Sequence, residues 1–311
     1  MKKALFCPII TTTDKKILYF MWQYKIATFE ALRVLFYPSI TPAQTYQKLI
    51  RLKKGGFLEV EKLKGTKNNV WGLAPIGFKF LQNCCDLPVV RNEMYKPLSQ
   101  YHDLVVASAL LGQWRLNPPI GVKIVSEQEI QNTEVNFLPY DYSSEMRRRP
   151  DGLWYFENGN KPFAVALEVE TTVKSSDRYV DICLFQASHL FLKNIVWIVE
   201  SKSHARKILA CSKKYGNPRP GLHLFILMKD FLERGWDCEL LGESHKGVTL
   251  ANYLNSLAGV KTENATSLQR VLDESSTCAS LNNEKNNIFL YFKISLGKSN
   301  SLKDQKIAKK T

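Results

Sequence analysis

The sequence lacks several patterns that would assign a protein to a known class at once. No apolar run reaches the roughly 20 residues that a membrane-spanning helix needs. No Gly-rich phosphate loop, G-x-S-x-G nucleophile elbow or dinucleotide-binding fingerprint occurs in it. The start, MKKALFCPIITTTDKK, has an apolar stretch too short for the hydrophobic region of a signal peptide. We therefore expect a cytoplasmic protein with no membrane partner.

Cysteine is present, but in no metal-binding or disulfide pattern. The seven cysteines are scattered, odd in number and never spaced as C-x-x-C. Structural zinc sites use paired ligands at short spacing, and secreted disulfide frameworks use an even number of cysteines. We expect reduced and mostly buried thiols.

Acidic residues are scarce in one part of the chain only. The 311 residues carry a net charge of +14 and are 45% hydrophobic, a composition typical of globular domains. Residues 1–100 contain 16 Lys and Arg against 6 Asp and Glu, whereas residues 101–255 contain 18 of each. Residues 256–311 contain 9 against 5. The basic N-terminal third is typical of a phosphate-binding module rather than of an ordinary solvated surface.

Three helical patterns follow one another in this basic third. The segment ILYFMWQYK is apolar or aromatic on nearly every face, as expected for a buried helix. The segment TFEALRVLFY has Thr28 as its N-cap, and TPAQTYQKLIRLKKGG begins at Thr41 and ends at two glycines.

The third of these helices has two contrasting faces. Apolar side chains at helical spacing are expected to face the core: Ala43, Tyr46, Leu49 and Ile50. The other face has no acid and consists of side chains that reach DNA bases and phosphates: Gln44, Gln47, Lys48, Arg51 and Lys54.

A β-hairpin is predicted next, over FLEVEKLKGTKNNVWGL, with Lys64 and Lys67 at its turn. Three helices followed by a hairpin with a basic tip describe a winged helix-turn-helix. In that arrangement the third helix enters the major groove and the hairpin contacts the DNA backbone or the minor groove. Winged helices also serve protein contacts, but the charge asymmetry favours double-stranded DNA. A linker interrupted by Pro88 and Pro97 follows.

A second hairpin is predicted within RRRPDGLWYFENGNKPFAVALEVETTVK, residues 147–174. In its returning strand the alanines at 164 and 166 share a face with Glu168 and Glu170. A two-residue loop pairs Asp151 with Ala166, and a four-residue loop pairs it with Glu168. Either register brings Asp151 onto the face of the two glutamates.

Three carboxylates beside two small residues predict a hard-oxygen site for Mg²⁺ or Mn²⁺. Such a site suits hydrolysis of a phosphodiester, because a divalent cation activates water and neutralises charge on the phosphate oxygens. Ala164 and Ala166 are small enough to leave room for a nucleic-acid backbone. The alternative interpretation is a solvated hairpin face with carboxylates of no special function.

Pro150-Asp151, followed 17 residues later by Glu168-Val169-Glu170, resembles the PD-(D/E)XK motif of restriction-endonuclease-like nucleases. The order of elements over residues 15–235 also resembles the replication-relaxation family of plasmid and mobile-element proteins. That family joins a winged helix to such a core, with P-D-G and E-x-D/E-T runs that stand here as RPDG and LEVETT. The resemblance implies that Asp151, Glu168 and Glu170 are catalytic and metal-binding. It departs at Glu170, where active enzymes usually have lysine; Lys174 lies four residues further on.

The expected fold is α/β, or α+β overall. A winged helix-turn-helix domain occupies residues 1–95, a restriction-endonuclease-like mixed sheet flanked by helices occupies residues 96–255, and a polar, partly disordered extension occupies residues 256–311. The expected function is that of a plasmid or mobile-element protein that binds duplex DNA and cleaves or nicks it with Mg or Mn. The alternative is a non-catalytic replication or transcription factor with an inactive nuclease fold, so enzyme activity stays open. A homodimer or a protein partner in a DNA-processing complex is compatible with either.

Overall fold

The computed structural model describes residues 8–63, 66, 68–85, 87, 100–130, 138, 149–157, 161–214, 221–242 and 245–260. The linker prolines at 88 and 97, and the C-terminal extension beyond residue 260, lie outside these residues. The chain divides into two compact units, and the boundary lies between Leu104 and Val105. The domain boundaries expected at residues 95 and 255 stay a prediction. Among the described helices, none combines the length and apolarity that spanning a membrane requires.

Short helices and a small sheet form the first unit. Its described elements are α1 (Thr12–Tyr24), β1 (Ile26–Thr28), α2 (Phe29–Phe36), α3 (Pro42–Lys54), β2 (Leu58–Lys62), β3 (Asn69–Leu73) and α4 (Pro75–Cys85). The three strands form an antiparallel sheet in the order β1-β3-β2. The three successive helices and the hairpin predicted from the sequence are confirmed as elements.

A threonine caps each of the first three helices. Thr11, Thr28 and Thr41 each accept a hydrogen bond from a backbone N–H in the first turn of the helix that follows. The predicted N-caps at Thr28 and Thr41 are confirmed, and caps of this kind contribute about 1 kcal/mol each. Gln44 completes a capping box, because its Oε1 accepts the backbone N–H of Thr41 at 3.1 Å.

The buried face of α3 differs from the one expected. Thr45, Leu49 and Leu52 are fully buried, whereas Ala43 is exposed and Tyr46 is 48% exposed. Apolar spacing alone does not distinguish two adjacent stripes of a helix, and the small Thr45 fits the closer approach to the core. The ring of Tyr46 instead makes edge contacts with the rings of Phe29 and Trp71.

Arg51 ties α3 to the beginning of α1. Its guanidinium forms an ion pair with the carboxylate of Asp14, which is fully buried, and also donates to the carbonyl of Ile9. Asp14 accepts the backbone N–H of Thr11 at 2.8 Å as part of the capping box of α1. The basic side chain therefore neutralises a buried acid within its own unit.

A five-stranded mixed sheet forms the second unit. The boundary between the units falls within α5 (Gln100–Leu111). The elements that follow are β4 (Val122–Ser126), α6 (Glu127–Ile130), β5 (Gly152–Phe156), β6 (Phe163–Glu170), α7 (Ser176–Ser188), β7 (Leu192–Val199), α8 (Lys202–Lys214), β8 (His223–Leu227), α9 (Met228–Arg234) and α10 (Leu250–Leu257). The strand order is β4-β5-β6-β7-β8. The β4-β5 and β5-β6 pairs are antiparallel, and the two remaining pairs are parallel.

Helices cover both faces of this sheet. On one face, Tyr179 and Cys183 of α7 belong to the same buried cluster as Ala164, Ala166 and Trp197 of the strands. On the other face, Trp154 donates its indole N–H to the carbonyl of Leu110 in α5 at 3.0 Å. The predicted α/β fold, a mixed sheet flanked by helices, is confirmed.

The prediction of an open face beside the alanines is wrong. Ala164 and Ala166 have no exposed surface, and every residue of β6 after Phe163 is buried. A strand that pairs in parallel with β7 is followed by a crossover helix, α7, and that helix packs on the alanine side. The small side chains make room for a helix, not for a nucleic acid.

The contribution of the ion pair between Arg51 and Asp14 to stability can be tested by substitution. Arg51→Ala is expected to lower the free energy of unfolding by about 1–3 kcal/mol, because it removes the cationic partner of a buried carboxylate. The partial exposure of Arg51, 29%, keeps this loss below that of a fully buried pair. Urea denaturation of the full chain measures it. Lys53→Ala, at an exposed neighbour on the same helix, is expected to stay within about 0.5 kcal/mol. Equal effects of the two substitutions would contradict the structural role of Arg51.

Candidate functional site

Asp151 directly precedes β5 and contacts the last residues of β6. Gly152, the first residue of β5, pairs with Leu167 of β6. The backbone N–H of Asp151 donates to the carbonyl of Leu167 at 3.0 Å. Its Oδ2 accepts the backbone N–H of Val169 at 2.7 Å. The main chain of β6 thus holds this carboxylate at the end of the hairpin.

At Gly152, next to Asp151, the side chain of Leu110 in α5 lies close to the strand. A Cβ atom at this position would lie 2.3 Å from Cδ1 of Leu110. The glycine of the P-D-G run therefore permits a close contact between the strand and the Leu110 side chain.

Glu168 is a buried carboxylate with an unusual proton affinity. It is 4% exposed, and its Oε1 accepts a hydrogen bond from the side-chain amide of Gln186 in α7. Burial raises its pKa well above the ordinary value, and the negative charges of Asp151 and Glu170 raise it further. The charge of Lys174 and the Gln186 contact act in the opposite direction. The mutual influence of the three carboxylates follows from their closeness.

Glu170, the last residue of β6, is paired with Lys174. Glu170 is 1% exposed, and its Oε1 contacts the ammonium of Lys174 in the connection between β6 and α7. Lys174, four residues after Glu170 in the sequence, thus folds back onto it. A cation therefore lies beside the position where the PD-(D/E)XK pattern usually has its lysine.

Lys174 is connected to three side chains of the two following helices, to Tyr179 and Lys207 directly and to His204 through Tyr179. The backbone N–H of Lys174 donates to Oη of Tyr179 at 3.0 Å, and its carbonyl accepts from the ammonium of Lys207 at 2.8 Å. Oη of Tyr179 also contacts Nε2 of His204. Burial raises the pKa of Tyr179 to about 12. Burial and the charges of Lys207 and Lys174 lower the pKa of His204.

The donor set of Asp151, Glu168 and Glu170 is chemically suited to a hard divalent cation. All three donors are carboxylates, with no thiolate or imidazole among them. Within the part of the chain that the structure describes, however, no group of three His, Cys, Asp or Glu residues is arranged as a metal site. Each of the three carboxylates instead contacts a protein group: the Val169 amide, Gln186 or Lys174.

The residues expected to contact DNA fall into three groups. Gln44, Gln47, Lys48 and Lys54 are exposed on α3. Gln44 also serves the N-terminal cap, and the ammonium of Lys48 lies 5.8 Å from the centroid of the Tyr37 ring. The guanidinium of Arg51 is engaged by Asp14. Lys64 and Lys67 lie outside the described residues.

Sequence reasoning missed the supporting residues Gln186, Tyr179, His204 and Lys207. One signal was available for Gln186. It follows Tyr179 and Cys183 at helical spacing, so it is a polar residue on an otherwise apolar face, and it is fully buried. Such a residue needs a hydrogen-bond partner. The contacts of His204 and Lys207 span 25 and 33 residues, and no local pattern indicates them.

Comparisons with known proteins give little further information. No family model matches the chain, and no curated protein matches it. Among solved structures, the chain is similar to the restriction endonuclease FokI, with a TM-score of 0.27 and 9% sequence identity. The similar region covers 80% of this chain and 49% of FokI, so the chain spans about half the length of that protein. A likeness of this size carries no argument about fold or function.

The raised pKa of Glu168 predicts a pH dependence of stability in the absence of divalent metal. Because its folded-state pKa lies above the ordinary value of 4.5, stability falls as pH rises from that value through the folded pKa. Glu168→Gln removes the buried charge and is expected to gain stability relative to wild type over that window. Thermal unfolding at pH 5 and pH 8 with a chelator measures the difference. Asp181→Asn, at an exposed carboxylate of α7, is the control and should show no such gain. An equal pH dependence of wild type and Glu168→Gln would contradict the assignment.

Proposed function

We propose that the chain is a DNA-binding protein whose second unit hydrolyses phosphodiester bonds with Mg²⁺ or Mn²⁺, cleaving or nicking duplex DNA. One observation carries this proposal. The carboxylate of Asp151 accepts the backbone N–H of Val169, the residue between Glu168 and Glu170, at 2.7 Å, and the charges of Asp151 and Glu170 both raise the pKa of Glu168. Carboxylates held at strand ends, with a pKa shifted by burial and by neighbouring charges of the same sign, are typical of functional sites.

Divalent cation binding is the proposed role of these carboxylates. Asp151, Glu168 and Glu170 would hold the cation, which supplies an activated water and positive charge for the phosphate oxygens. The contribution of the protein is to hold the carboxylates in fixed positions. The Val169 amide orients Asp151, and Gln186 orients Glu168, so that two carboxylates start from fixed places. Such preorganisation is what a catalytic site requires of its supporting contacts.

We also propose that the first unit is a winged helix that binds duplex DNA. The element order α1-β1-α2-α3-β2-β3 and the antiparallel β1-β3-β2 sheet support this interpretation. The exposed face of α3, with Gln47, Lys48 and Lys54, contains no acidic residue. Lys64 and Lys67 are proposed to contact the DNA backbone from the hairpin turn. Gln44 and Arg51 complete the proposed contact set, each with a structural contact of its own.

A specific observation favours a second candidate, a non-catalytic replication or transcription factor with an inactive nuclease fold. Every carboxylate of the site already contacts a protein group, and Glu170 stands where the motif usually has lysine. A site that has lost metal binding would satisfy its carboxylates in this way. The association with a plasmid or mobile element, the cytoplasmic location, and a homodimer or other protein partner stay predictions under both candidates.

DNA binding by α3 predicts a steep salt dependence. The double substitution Lys48→Ala and Lys54→Ala is expected to weaken binding to all duplexes and to flatten the slope of log Kd against log salt by about 2, because two phosphate contacts are lost. Gln47→Ala is expected to alter the preference between sequences instead, and it leaves the helix cap intact. Fluorescence anisotropy of the full chain with labelled duplexes measures both. Lys79→Ala, at an exposed lysine of α4, serves as the control. A double variant with an unchanged slope would contradict the proposed face.

Catalysis predicts that Asp151→Asn abolishes cleavage of supercoiled plasmid and thermal stabilisation by Mn²⁺, while duplex binding persists. The amide can still accept the Val169 N–H, so the fold is preserved while one negative charge is lost. For wild type, a metal concentration of 100 Kd should stabilise by about 2.7 kcal/mol. Asp181→Asn should behave as wild type. A wild-type chain that gains no stability from Mg²⁺ or Mn²⁺ and leaves plasmid intact would favour the non-catalytic candidate.

A further inference from the structure

Helix α8 carries a concentration of basic residues that the composition of the second unit conceals. Residues 101–255 contain equal numbers of basic and acidic residues, 18 of each. Within them, the 13 residues of α8 contain no acid and five basic side chains: Lys202, Arg206, Lys207, Lys213 and Lys214. Solvated helices usually mix charges of both signs, because pairs of opposite charge on neighbouring turns stabilise them. The single sign of the charge on α8 therefore indicates a negatively charged partner.

Three of these side chains, Lys202, Arg206 and Lys213, form one stripe along α8, called here the basic stripe. With 3.6 residues per turn, they lie within about 40° of one another around the helix axis. All three are exposed, whereas Ile208 on the far side of the helix is fully buried in the core. No ion pair joins the stripe to an acid among the residues that the structure describes. Its positive charge is thus available to a ligand.

The neighbouring helix α7 lies on a different side of α8. The ammonium of Lys207 lies 5.7 Å from the centroid of the Tyr179 ring in α7 and donates to the carbonyl of Lys174 at 2.8 Å. Lys207 is separated from each residue of the basic stripe by about 100° or more around the helix axis. The exposed acids of α7, Asp177 and Asp181, therefore lie toward Lys207 rather than toward the stripe.

The basic stripe begins at the edge of the sheet where the carboxylates lie. Glu170, the last residue of β6, pairs with Val199, the last residue of β7, and α8 starts at Lys202 shortly after it. Because α8 connects β7 to the parallel strand β8, it runs back along the sheet from that edge. The stripe therefore extends from the edge that holds Glu168 and Glu170 for about 16 Å along the helix.

A phosphodiester backbone fits the basic stripe better than a lipid surface does. The phosphates of one DNA strand follow one another at about 3.4 Å along the duplex axis, so a stripe of about 16 Å can face several of them. Helices that bind membranes combine basic residues with exposed Trp, Phe or Leu. None of the large apolar side chains of α8 is exposed, so the helix has no group to insert into a bilayer.

We propose that the basic stripe of α8 is a second contact surface for duplex DNA, in addition to α3: Lys202, Arg206 and Lys213 bind phosphates of one strand and hold the backbone near the edge of the sheet where the carboxylates lie. This surface rests on the DNA-binding part of the proposed function and does not require that the second unit cleaves DNA. Phosphate contacts carry no sequence information, so the stripe contributes equally to the binding of all duplexes.

The salt dependence of duplex binding tests the basic stripe. The full-length triple variant Lys202→Ala, Arg206→Ala and Lys213→Ala should flatten the slope of log Kd against log salt by about 3 and raise Kd at physiological salt by at least about tenfold, because three phosphate contacts are lost. Fluorescence anisotropy with a labelled duplex and a chelator measures both. The control variant removes the same charge from three exposed lysines of the second unit outside α8, and its slope should change by less than about 1. Its substitutions are Lys161→Ala, Lys229→Ala and Lys246→Ala.

The outcomes distinguish the stripe from the rest of the proposed function. A larger effect of the α8 variant than of the control supports the stripe, even if wild type leaves plasmid uncut. Equal effects of the two variants overturn it and leave α3 as the proposed DNA contact. Wild type that binds no duplex at low salt overturns the stripe and the DNA-binding part of the proposed function together. Vesicles with phosphatidylserine test the other polyanion: if the α8 variant loses only vesicle binding and keeps duplex binding, the DNA surface is overturned.

A measurement on unaltered protein guards against misfolding of the variant. An amine-acylating reagent labels lysines in proportion to how accessible their amino groups are, and mass spectrometry of a digest gives the extent at each site. Labelling of Lys202 and Lys213 should fall when duplex is added, relative to the exposed Lys229 and Lys246, because bound phosphates cover their amino groups. Labelling of Lys202 and Lys213 that stays constant at saturating duplex would overturn the contact.

Discussion

The burial of Glu168 and Glu170 at the end of a central strand is the constraint on which the second unit depends. β6 pairs with β5 on one edge and with β7 on the other, so its backbone cannot shift to bring these carboxylates to water. Ionised carboxylates in such a place are unfavourable unless they are paired or hydrogen-bonded. The side-chain amide of Gln186 in α7 donates a hydrogen bond to Glu168, and the ammonium of Lys174, in the connection before α7, contacts Glu170.

The first unit also contains a buried acid whose charge is compensated by a basic side chain. Asp14 is buried because it closes the capping box of α1, and its remaining charge is met by Arg51 from α3. In both units a buried acid forms an ion pair with a basic side chain: Arg51 contacts Asp14 from 37 residues away in the sequence, and Lys174 contacts Glu170 from four residues away. A basic side chain in a protein rich in Lys and Arg can therefore be committed to the interior, and its type alone does not assign it to a nucleic-acid surface.

Much of the element order could be predicted from the sequence, because caps, turns and strand alternation are local. Thr28 and Thr41 act as the N-caps expected of them, and the predicted hairpin forms with Gly152 paired to Leu167. Burial was harder to predict. Ala164 and Ala166 were predicted to lie on a solvent-exposed face. The alternation of apolar and polar residues in a strand does not indicate whether a helix will cover one of its faces. The contacts around Lys174 escaped prediction for the same reason, since they depend on how α7 and α8 pack against β6 and β7.

The two attachments of α3 have a consequence for whatever its exposed face binds. Its beginning is closed by the Thr41–Gln44 capping box, and its last turns are tied by Arg51 to Asp14 and to the carbonyl of Ile9. A helix secured at both ends is already ordered before a ligand arrives, and little conformational entropy is lost on binding. Differences in affinity between ligands of this face then reflect the contacts themselves rather than differences in the cost of ordering the helix.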